Sequence, residues 1–338
     1  MRTYSIAVVG TGAVGSTILQ VLEERNFPVG ELRLLATKNS AGKKMTFKGR
    51  EYTIAETTKE SFKGVDIALF AGGKASELYA KAAAEMGAIV IDNSSFFRMD
   101  PEVPLVVPEV NPEAVKGHKG IIANPNCSTI QMCVAMKPIH DYSKIKRVIV
   151  STYQAVSGAG QEAMDELVEQ TREVLAGEAP TVKMFQHQIA LNLIPHIDVF
   201  KENHYTKEEM KMVLETQKIF NDYEMRLSAT TVRVPILRSH SESVTVETEK
   251  KISREKALEL FSACEGIVLQ DDPTNNVYPM PYFTSDTDEV YVGRVREDLA
   301  FDNGLSFFVV ADQLRKGAAT NAIQIAELLI RENMVGGK

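Results

Sequence analysis

The amino-acid sequence predicts a two-domain chain in which an α/β domain precedes an α+β domain. The chain has 338 residues, which corresponds to roughly two domains of about 150 residues each. Before residue 125, short apolar runs alternate with helical patterns, and this order predicts a parallel sheet with helical crossovers. After it, apolar and polar residues alternate within the strand-like runs, as in a sheet with one buried face. We therefore expect a first domain at residues 1–125 and a second domain at residues 126–311.

The first domain begins with the strand-like residues 4–9, which are apolar and contain β-branched side chains. A parallel strand that is buried on both faces has this composition. Apolar side chains then recur at helical spacing at Ile18, Leu19 and Leu22. Three more strands are predicted at residues 32–36, 65–71 and 88–92, with a helix over residues 75–86 before the last of them.

The second domain is predicted from strands at residues 148–153, 230–234 and 243–247. Long helices with a polar face are expected near residues 161–176 and 207–220. A last helical stretch starts at Asp312, and the residues alone leave open on which domain it packs.

Composition and charge exclude several classes of function. With 45 acidic and 38 basic residues the formal net charge is −7, whereas a general nucleic-acid binder needs clustered cations. The sequence contains no apolar run of about 18 residues and no signal-peptide pattern at its start. We therefore expect a cytoplasmic protein without a nucleic-acid or membrane partner.

The three cysteines are Cys127, Cys133 and Cys264. An odd, widely spaced set without a CxxC pair predicts neither a disulfide framework nor a zinc site, and we expect no metal. Cys127 follows Asn126 at the start of a predicted apolar helix that Pro138 ends, where the helix dipole favours a nucleophilic thiolate. Cys133 and Cys264 lie in apolar segments and are expected to pack in the core. A cysteine at a helix start is by itself more often structural, so both interpretations of Cys127 stay open at this point.

A glycine-rich turn lies between the first strand and the first helix. Its residues match the pattern GxGxxG and are Gly10, Thr11, Gly12, Ala13, Val14 and Gly15. In such a position the first glycine permits a tight turn, the second lets a pyrophosphate approach the backbone, and the third allows close helix packing. The helix N-terminus presents free N–H groups to the phosphates. The motif therefore predicts a Rossmann-type dinucleotide-binding domain, with a purely structural turn as the alternative.

The end of the second strand predicts which dinucleotide binds. An NAD site usually has an acidic residue there for the ribose 2′-hydroxyl, but no acidic residue lies between Ala36 and Glu51. Thr37, Lys38 and Ser40 would instead suit a 2′-phosphate. We therefore predict NADP as the cofactor, and the alternative is an exposed turn with a solvated lysine.

Two further segments carry polar side chains that a protein core would not favour. One runs from a strand into a glycine-rich turn at residues 151–160 and includes Gln154. The other places Arg233 and His240 around a proline turn. Among the six histidines, His240 is the best candidate for a catalytic base because it lies in a loop after a strand. The alternative is a histidine whose ring is paired for structural reasons.

Six motifs along the chain resemble those of one enzyme family. They lie at residues 10–15, 93–99, 124–129, 154–160, 215–218 and 233–240. One such motif is moderately specific, whereas six in order at the family's spacing are highly specific. The chain resembles the aspartate-β-semialdehyde dehydrogenase family over essentially its whole length, and the Val-Ser-Gly-Ala-Gly sequence at residues 156–160 is similar to the branch common in Gram-positive bacteria.

The resemblance implies that 4-phospho-L-aspartate and NADPH give L-aspartate 4-semialdehyde, phosphate and NADP, on the route to lysine, threonine, methionine and diaminopimelate. Cys127 would be the nucleophile that forms a thioester. His240 would be an acid/base that deprotonates the thiol, and Gln154 would orient the substrate and the intermediate. The resemblance also implies a homodimer formed through the second domain, with a tetramer as the alternative, and a C-terminal segment, residues 312–338, that packs on the cofactor domain.

The resemblance also implies which residues bind the substrate. Arg233 matches the arginine that binds the α-carboxylate, and Glu215 would meet the α-ammonium group. Without the resemblance, Glu215 and Lys218, spaced i,i+3, would be interpreted as a surface ion pair. The other substrate-binding residues that it implies are Arg98 and Lys218, for the phosphoryl group, and Asn126. Further cofactor-binding residues are expected at Gly72, Ser157, Gly158 and Gln313, the last in place of the family's asparagine.

Two other functions are compatible with parts of this pattern. N-acetyl-γ-glutamyl-phosphate reductase also uses a cysteine, an acyl phosphate and NADPH, but its substrate carries an acylated amino group that leaves Glu215 without a partner. A non-catalytic nucleotide-binding regulator would keep the fold and lose the chemistry. The joint presence of Cys127, Gln154, Arg233 and His240 argues against such a regulator.

Overall fold

The structure is a computed structural model that describes residues 2–336. Its strands are β1 (Tyr4–Val9), β2 (Val29–Ala36), β3 (Lys44–Phe47), β4 (Arg50–Thr53), β5 (Ala55–Glu56), β6 (Ile67–Phe70), β7 (Ile89–Asp92), β8 (Ile121–Ala123), β9 (Ile145–Gln154), β10 (Arg226–Arg233), β11 (His240–Thr248), β12 (Ile267–Leu269), β13 (Val290–Glu297) and β14 (Gly304–Ala311). Its helices are α1 (Ala13–Glu24), α2 (Gly73–Glu85), α3 (Cys127–Tyr142), α4 (Gln161–Leu175), α5 (Lys207–Phe220), α6 (Arg254–Ser262), α7 (Pro281–Thr284) and α8 (Thr320–Arg331). Within residues 2–336, no helix is both long and apolar enough to cross a membrane.

The chain forms two compact units. The first unit contains the chain up to Asn126 together with the chain from Ala318 onward, and the second unit is Cys127–Gly317. We expected the last segment to begin at Asp312, but Asp312 and the five residues after it belong to the second unit. Asp312 is a turn residue, because its Oδ1 accepts a hydrogen bond from the backbone N–H of Leu314. Helical structure starts only with a π-helical turn at Arg315–Ala319.

The first unit is built on a six-stranded parallel sheet in the order β5-β2-β1-β6-β7-β8. Every residue of β1 is buried, as expected for a parallel strand covered on both faces. The apolar side of α8, including Ile323 and Leu329, belongs to the same core as Ile6 and Val8 of β1. The strand order is that of a dinucleotide-binding domain, in which the carboxyl ends of the parallel strands β1 and β2 lie side by side.

The second unit is built on a six-stranded mixed sheet in the order β10-β9-β11-β14-β13-β12. Strands β9 and β10 are parallel, whereas β11 is antiparallel to both β9 and β14. Helices α3, α5 and α6 pack on one face of this sheet. The alternating pattern predicted for β9 is confirmed: Val148 and Val150 are buried, whereas Ile149 is 49% exposed and Tyr153 is 36% exposed.

Helix α3 differs from the prediction at its end, because it continues through Pro138 to Tyr142. A proline inside a helix removes one backbone hydrogen bond, but Ile139 directly after it is fully buried. We attribute the continuation to this packing, since tertiary burial commonly outweighs local helix preference.

Helix α5 begins with a capping box that the sequence pattern explains. Thr206 accepts a hydrogen bond from the backbone N–H of Glu209, and the Glu209 carboxylate accepts one from the backbone N–H of Thr206. Together they satisfy two of the donors that a helix N-terminus leaves free. The predicted helix over residues 207–220 is confirmed.

The carboxyl group of Glu242 is fully buried in the second unit. Glu242 on β11 is 0% exposed, and neither of its carboxyl oxygens has a hydrogen-bond partner among residues 2–336. Burial raises the pKa of this carboxyl well above its ordinary value. Glu242 therefore keeps its proton to a higher pH in the folded chain than in the unfolded chain.

Replacing Glu242 by glutamine is expected to stabilise the protein increasingly as the pH rises above about 4.5. In the wild type the unfolded chain releases the Glu242 proton in this range while the folded chain retains it, so ionisation favours unfolding until the folded pKa is reached. Glutamine cannot ionise and removes this penalty, which is about 1.4 kcal/mol for each unit of pKa elevation. Melting temperatures measured at pH 5 and pH 8 test this.

The matched control is Glu247→Gln on the same strand, because Glu247 is paired with Arg147. Removing this pair is expected to lower stability slightly or not at all, with no gain at pH 8. An advantage of Glu242→Gln that does not change between pH 5 and pH 8 would contradict a protonated carboxyl.

Candidate active site

Cys127 is the first residue of α3. It is not part of a disulfide and is half-buried, and it lies at the helix end where the dipole favours a negative charge. Cys133 lies in the interior of the same helix, with its Sγ 3.7 Å from Thr216 Oγ1. Burial raises the pKa of the Cys133 thiol, and the Glu242 and Glu215 carboxyls raise it further. Cys133 is therefore held as an unreactive thiol, as its packing role predicts.

Cys264 does not lie in the core as we expected. Helix α6 ends at Ser262, and Cys264 lies in the turn that follows, where it is half-buried. The apolar segment before it suggested a buried position, but the helix ends before this residue. Phe261, one position before the helix end, is the residue that fills the core.

Gln154 and Arg233 are neighbours at one edge of the second sheet. They are the last residues of β9 and β10 and lie opposite each other in the parallel register. Gln154 Nε2 donates a hydrogen bond to Glu208 Oε1 at 3.4 Å. Arg233 Nη1 donates one to the carbonyl oxygen of Ala155 at 2.6 Å. Both side chains are buried, so their polar groups are fixed rather than solvated.

The His240 ring lies beside this pair. His240 was predicted to lie in a loop, but it is the first residue of β11 and is 0% exposed. Its Nδ1 accepts a hydrogen bond from the backbone N–H of Ala155 at 3.0 Å. Its Nε2 is buried and has no hydrogen-bond partner among residues 2–336. Burial, and then the charge of Arg233, lowers the pKa of His240 well below its ordinary value, so the ring is neutral at neutral pH.

Gly158 lets Arg233 and His240 approach each other. A Cβ on Gly158 would lie 3.1 Å from Arg233 Nη1 and 3.2 Å from both Cε1 and Nε2 of His240. These distances are shorter than ordinary carbon contacts, so a larger residue would push one of the two side chains aside. Gly158 therefore borders the space into which Arg233 and His240 point.

The charge of the Arg233 guanidinium interacts with Glu208, Cys127 and His240. Burial lowers the pKa of Arg233, and the negative charges of Glu208 and Cys127 oppose this effect. The influence of Cys127 is mutual, because a cation that is stabilised by a thiolate also favours that thiolate. The second unit therefore brings together Cys127, Gln154, Arg233 and His240, with Gly158 between the last two.

Glu208 is a site residue that the sequence analysis missed. It is 4% exposed, accepts from Gln154, and pairs with Lys211 Nζ at 2.9 Å. Burial lowers the pKa of Lys211, but the carboxylates of Glu208 and Asp198 outweigh burial and raise it. An acidic residue in the first turn of a helix is common for dipole reasons. No feature of the sequence distinguishes Glu208 from Glu209, whose role is helix capping.

Glu215 and Lys218 are both on α5. Glu215 is 1% exposed, so the interpretation as a solvated surface pair is wrong for this residue. Its carboxyl raises the pKa of Cys133, after the larger effect of burial, and therefore lies near α3. Lys218 is half-buried one helical turn further along.

Ser157 and Gln313 contact each other within the second unit. Gln313 Nε2 donates to Ser157 Oγ, and Gln313 Oε1 accepts from the backbone N–H of Ser239 at 2.8 Å. Both ends of the Gln313 amide are thus used inside the unit. An amide has two N–H groups and two carbonyl lone pairs, so each end of Gln313 can form one further hydrogen bond.

The glycine-rich turn of the first unit has the geometry of a phosphate-binding loop. Helix α1 begins at Ala13 directly after Gly12, which supplies no side-chain cap to the free N–H groups. A Cβ on Gly15 would lie 1.9 Å from the carbonyl oxygen of Gly10, so only glycine lets the helix pack on the turn. A Cβ on Gly12 would meet nothing within 4 Å, which leaves the backbone open to a ligand. Thr11 and Val14 complete the loop.

Other predicted cofactor residues of the first unit surround this loop. Thr37, Lys38 and Ser40 form a turn directly after β2, with the Ser40 N–H 2.9 Å from the Thr37 carbonyl oxygen. Lys38 is exposed. Gly72 precedes α2, and its nitrogen would lie 3.4 Å from a Cβ on Gly10. The residues fit a dinucleotide whose phosphates approach the glycine-rich turn.

Arg98 and Asn126 are also buried residues of the first unit. Arg98 Nε donates to the carbonyl oxygen of Asn124 at 2.9 Å, and Arg98 Nη2 donates to that of Asn93 at 2.8 Å. Arg98 therefore fastens the segment after β7 to the segment that leads to Cys127.

Comparison with known proteins identifies the family. Residues 5–118 match the family described as semialdehyde dehydrogenase, NAD binding domain, and residues 136–316 match its dimerisation domain. The chain is 59% identical to the aspartate-semialdehyde dehydrogenase of Aquifex aeolicus, over 98% of this chain and 99% of that protein. It is 51% identical to that of Bacillus subtilis, over 99% of both. The chain belongs to the aspartate-semialdehyde dehydrogenase family.

Solved structures of the family have the same fold. Aspartate semialdehyde dehydrogenase II of Vibrio cholerae, described as complexed with ASA, superposes with a TM-score of 0.95 at 49% identity, over 98% of this chain and 99% of that one. The Candida albicans enzyme with NADP gives a TM-score of 0.76 at 25% identity, again over 98% and 99%. The predicted fold, a Rossmann-type domain followed by a mixed α+β domain, is confirmed.

Proposed function

We propose that the chain is an NADP-dependent aspartate-semialdehyde dehydrogenase, which converts 4-phospho-L-aspartate to L-aspartate 4-semialdehyde through a cysteine thioester. The product supplies lysine, threonine, methionine and diaminopimelate biosynthesis. The observation that carries the proposal is that Cys127, at a helix N-terminus, interacts electrostatically with a buried arginine, beside a buried histidine and glutamine. The relatives at 59% and 51% identity support the same activity.

Cys127 performs the first chemical step in this proposal. Its Sγ forms a bond to the carbonyl carbon of the acyl phosphate, and the bond from that carbon to the phosphate oxygen breaks. Phosphate leaves with the electron pair, and the acyl group remains on Cys127 as a thioester. The α3 N-terminus and the Arg233 charge support the attack because both favour the thiolate.

Each charged group of the substrate is matched with a side chain of opposite charge. Arg233 binds the α-carboxylate through its planar guanidinium. Glu215 binds the α-ammonium, and its burial supports this role because a buried carboxylate is retained when it meets a cation. Gln154 orients the substrate and the intermediate. Arg98 and Lys218, with Asn126, are assigned to the phosphoryl group and its surroundings by the family resemblance.

NADP is the cofactor of the proposed enzyme, and its reduced form, NADPH, would supply the hydride that reduces the thioester to the aldehyde. The turn from Gly10 to Gly15 binds its pyrophosphate, and Gly72 borders this turn. Thr37, Lys38 and Ser40 bind the 2′-phosphate. Ser157, Gly158 and Gln313 are assigned to the nicotinamide side. The open space beside the backbone of Gly12 supports the pyrophosphate position.

Replacing Lys38 by glutamate is expected to raise the KM for NADPH by about 10- to 100-fold, because one charge-assisted hydrogen bond to the 2′-phosphate is lost. The kcat at saturating NADPH and the weak use of NADH should change little. Steady-state kinetics with both cofactors measure this. Lys43→Glu is the control, since Lys43 is exposed in the same turn region without a predicted contact. Equal effects of the two substitutions would show a general charge effect instead.

A phosphate-dependent assay tests the function itself. NADP reduction is expected with L-aspartate 4-semialdehyde and phosphate, and not with N-acetyl-L-glutamate 5-semialdehyde. The reverse preference would assign the chain to the acylated substrate, which has no ammonium for Glu215. Binding of NADPH without turnover of either aldehyde would support a non-catalytic regulator.

A homodimer through the second unit is part of the proposal. The sheet face opposite α3, α5 and α6 carries the exposed side chains Ile149 and Tyr153. An apolar groove of about 560 Å³ continues this face; its lining includes Leu193, Tyr278 and Phe308. Exposed apolar patches of this kind are typical of subunit interfaces. Sedimentation velocity distinguishes the dimer from a tetramer.

The proposal also includes the branch of the family to which the chain belongs and its location in the cell. The identity of 51% with the Bacillus subtilis enzyme supports the branch common in Gram-positive bacteria. A cytoplasmic location agrees with a catalytic thiolate, which needs a reducing compartment.

A further inference from the structure

Gly317 lies directly beside Cys127 in the second unit. A Cβ built on Gly317 would lie 2.8 Å from Cys127 Cβ and 3.3 Å from Cys127 Cα. Carbon atoms that are not bonded to each other are normally separated by about 3.5–4.0 Å, so a side chain at position 317 does not fit while Cys127 stays in place. Gln313 Cβ follows at 3.3 Å. The main obstacle to a side chain at position 317 is therefore the residue that carries the proposed nucleophile.

The backbone conformation does not explain why position 317 is a glycine. Gly317 has no positive φ and lies within the π-helical turn at Arg315–Ala319, a conformation that other L-residues can adopt. Glycine inside a helical turn is also less favourable than alanine, because it loses more conformational freedom on folding. What requires glycine at this position is the close approach to Cys127.

The turn that carries Gly317 is fixed by several hydrogen bonds. The carbonyl oxygen of Asp312 accepts from the backbone N–H of Arg315 and from that of Gly317, both at 3.1 Å. The second of these bonds spans five residues and gives the turn its π-helical width. The buried Asp312 carboxylate is paired with Arg238 at 2.5 Å, and Arg315 Nε donates to Asp288 Oδ1 at 2.8 Å. These bonds oppose a movement of the turn away from Cys127.

Cys127 is fixed from the other side. It is the first residue of α3, and residues 128–136 after it are all buried. A Cβ is attached directly to the backbone, so it cannot move aside as the end of a long side chain can. Displacing Cys127 Cβ therefore requires a shift of the start of α3. Because Sγ is bonded to this Cβ, the contact with Gly317 also determines where the sulfur lies.

We propose that Gly317 is a positioning residue for the nucleophile: because it has no side chain, the π-helical turn packs against Cβ and Cα of Cys127 and so sets the place from which Sγ attacks the substrate. This inference rests on the proposed acylation reaction. Gly317 itself touches no reacting atom in this role. Attack requires the reacting atoms to be aligned at about 3–3.5 Å, and a displacement of about 1 Å can lower the rate about 10²-fold. A side chain at position 317 therefore acts on the chemical step and not on substrate binding.

Steady-state kinetics of Gly317→Ala test the positioning role. The kcat is expected to fall about 10²-fold, while the KM for L-aspartate 4-semialdehyde stays within about threefold of wild type, because the closest contacts of the new methyl group are with Cys127 and Gln313. Gly117→Ala is the matched control, since a Cβ there would meet nothing within 4 Å, and it should keep the wild-type kcat. A kcat of Gly317→Ala within about threefold of wild type would overturn the inference. A raised KM for NADPH at unchanged kcat would do the same, because the effect would then pass through Gln313.

Melting temperatures test the contact without any measurement of activity. Gly317→Ala is expected to lower the melting temperature by about 2–10 °C, as for overpacking in a fixed site. The loss should be the same in a Cys127→Ala background, because alanine keeps the Cβ. In a Cys127→Gly background, which has no Cβ at position 127, the loss should shrink by at least half. Equal losses in the two backgrounds would overturn the inference.

The same two backgrounds decide the case if Gly317→Ala does not fold. Recovery of folded protein when Gly317→Ala is combined with Cys127→Gly, but not with Cys127→Ala, would support the contact. Failure to fold in both backgrounds would overturn it. Failure of the proposed function is distinguishable, because it would appear as absent NADP reduction by the wild type while the melting temperatures of all variants remain measurable.

Discussion

Replacing Cys127 by alanine is expected to lower turnover by more than about 10³-fold, because no other residue replaces the sulfur that forms the thioester. Cys133 cannot substitute, since burial raises the pKa of its thiol and it is enclosed in the interior of α3. The phosphate-dependent reduction of NADP measures the loss. NADPH binding, followed by fluorescence titration, should stay intact because the glycine-rich turn belongs to the other unit.

Cys264→Ala is the matched control for this prediction. Cys264 is also a half-buried thiol in the second unit, but it lies in the turn after α6 and has no assigned role. It should keep wild-type turnover. Residual activity of Cys127→Ala above about a tenth of wild type would remove Cys127 as the nucleophile.

Replacing Arg233 by lysine is expected to lower kcat/KM for aspartate semialdehyde by about 10²- to 10³-fold. Lysine keeps the charge but loses the planar fork for a carboxylate and the bond to the Ala155 carbonyl oxygen. Truncating one partner of a buried, hydrogen-bonded charge pair costs about 2–5 kcal/mol. Most of the loss should appear in KM, because the cation that supports the Cys127 thiolate is retained.

Arg226→Lys provides the comparison, because Arg226 begins the same strand, β10, and is exposed. Its kcat/KM should remain within about twofold of wild type. An Arg233→Lys enzyme that keeps kcat/KM within about threefold of wild type would show that Arg233 does not bind the substrate carboxylate.

The first unit was largely predictable because its signals are local. A buried parallel strand, a glycine pattern and a helix follow one another within residues 4–24, and each is encoded by its own short stretch. The exclusion of a Cβ at Gly15 by Gly10 is a contact inside the same turn. Such contacts need no distant partner, so the pattern predicts them directly.

The second unit was less predictable because its site joins distant stretches. Glu208 meets Gln154 only because α5 packs on β10 and β10 pairs with β9. In the sequence Glu208 is an ordinary acid at a helix start. Strands β12 to β14 were not predicted, and the end of α3 was placed too early because the burial of Ile139 could not be foreseen.

The sequence by itself predicted Cys127 as the nucleophile, through the family resemblance, and predicted the class of cofactor site from the glycine-rich turn, since both stand at helix starts that local patterns define. It also ruled out disulfide and zinc interpretations of the three cysteines. Only the tertiary structure decided the burial of Glu242, the half-buried position of Cys264 and the surroundings of the His240 ring. The physical reason is that burial and hydrogen-bond partners set the protonation of a side chain, and those partners, such as the Ala155 N–H on His240 Nδ1, come from residues far away in the chain.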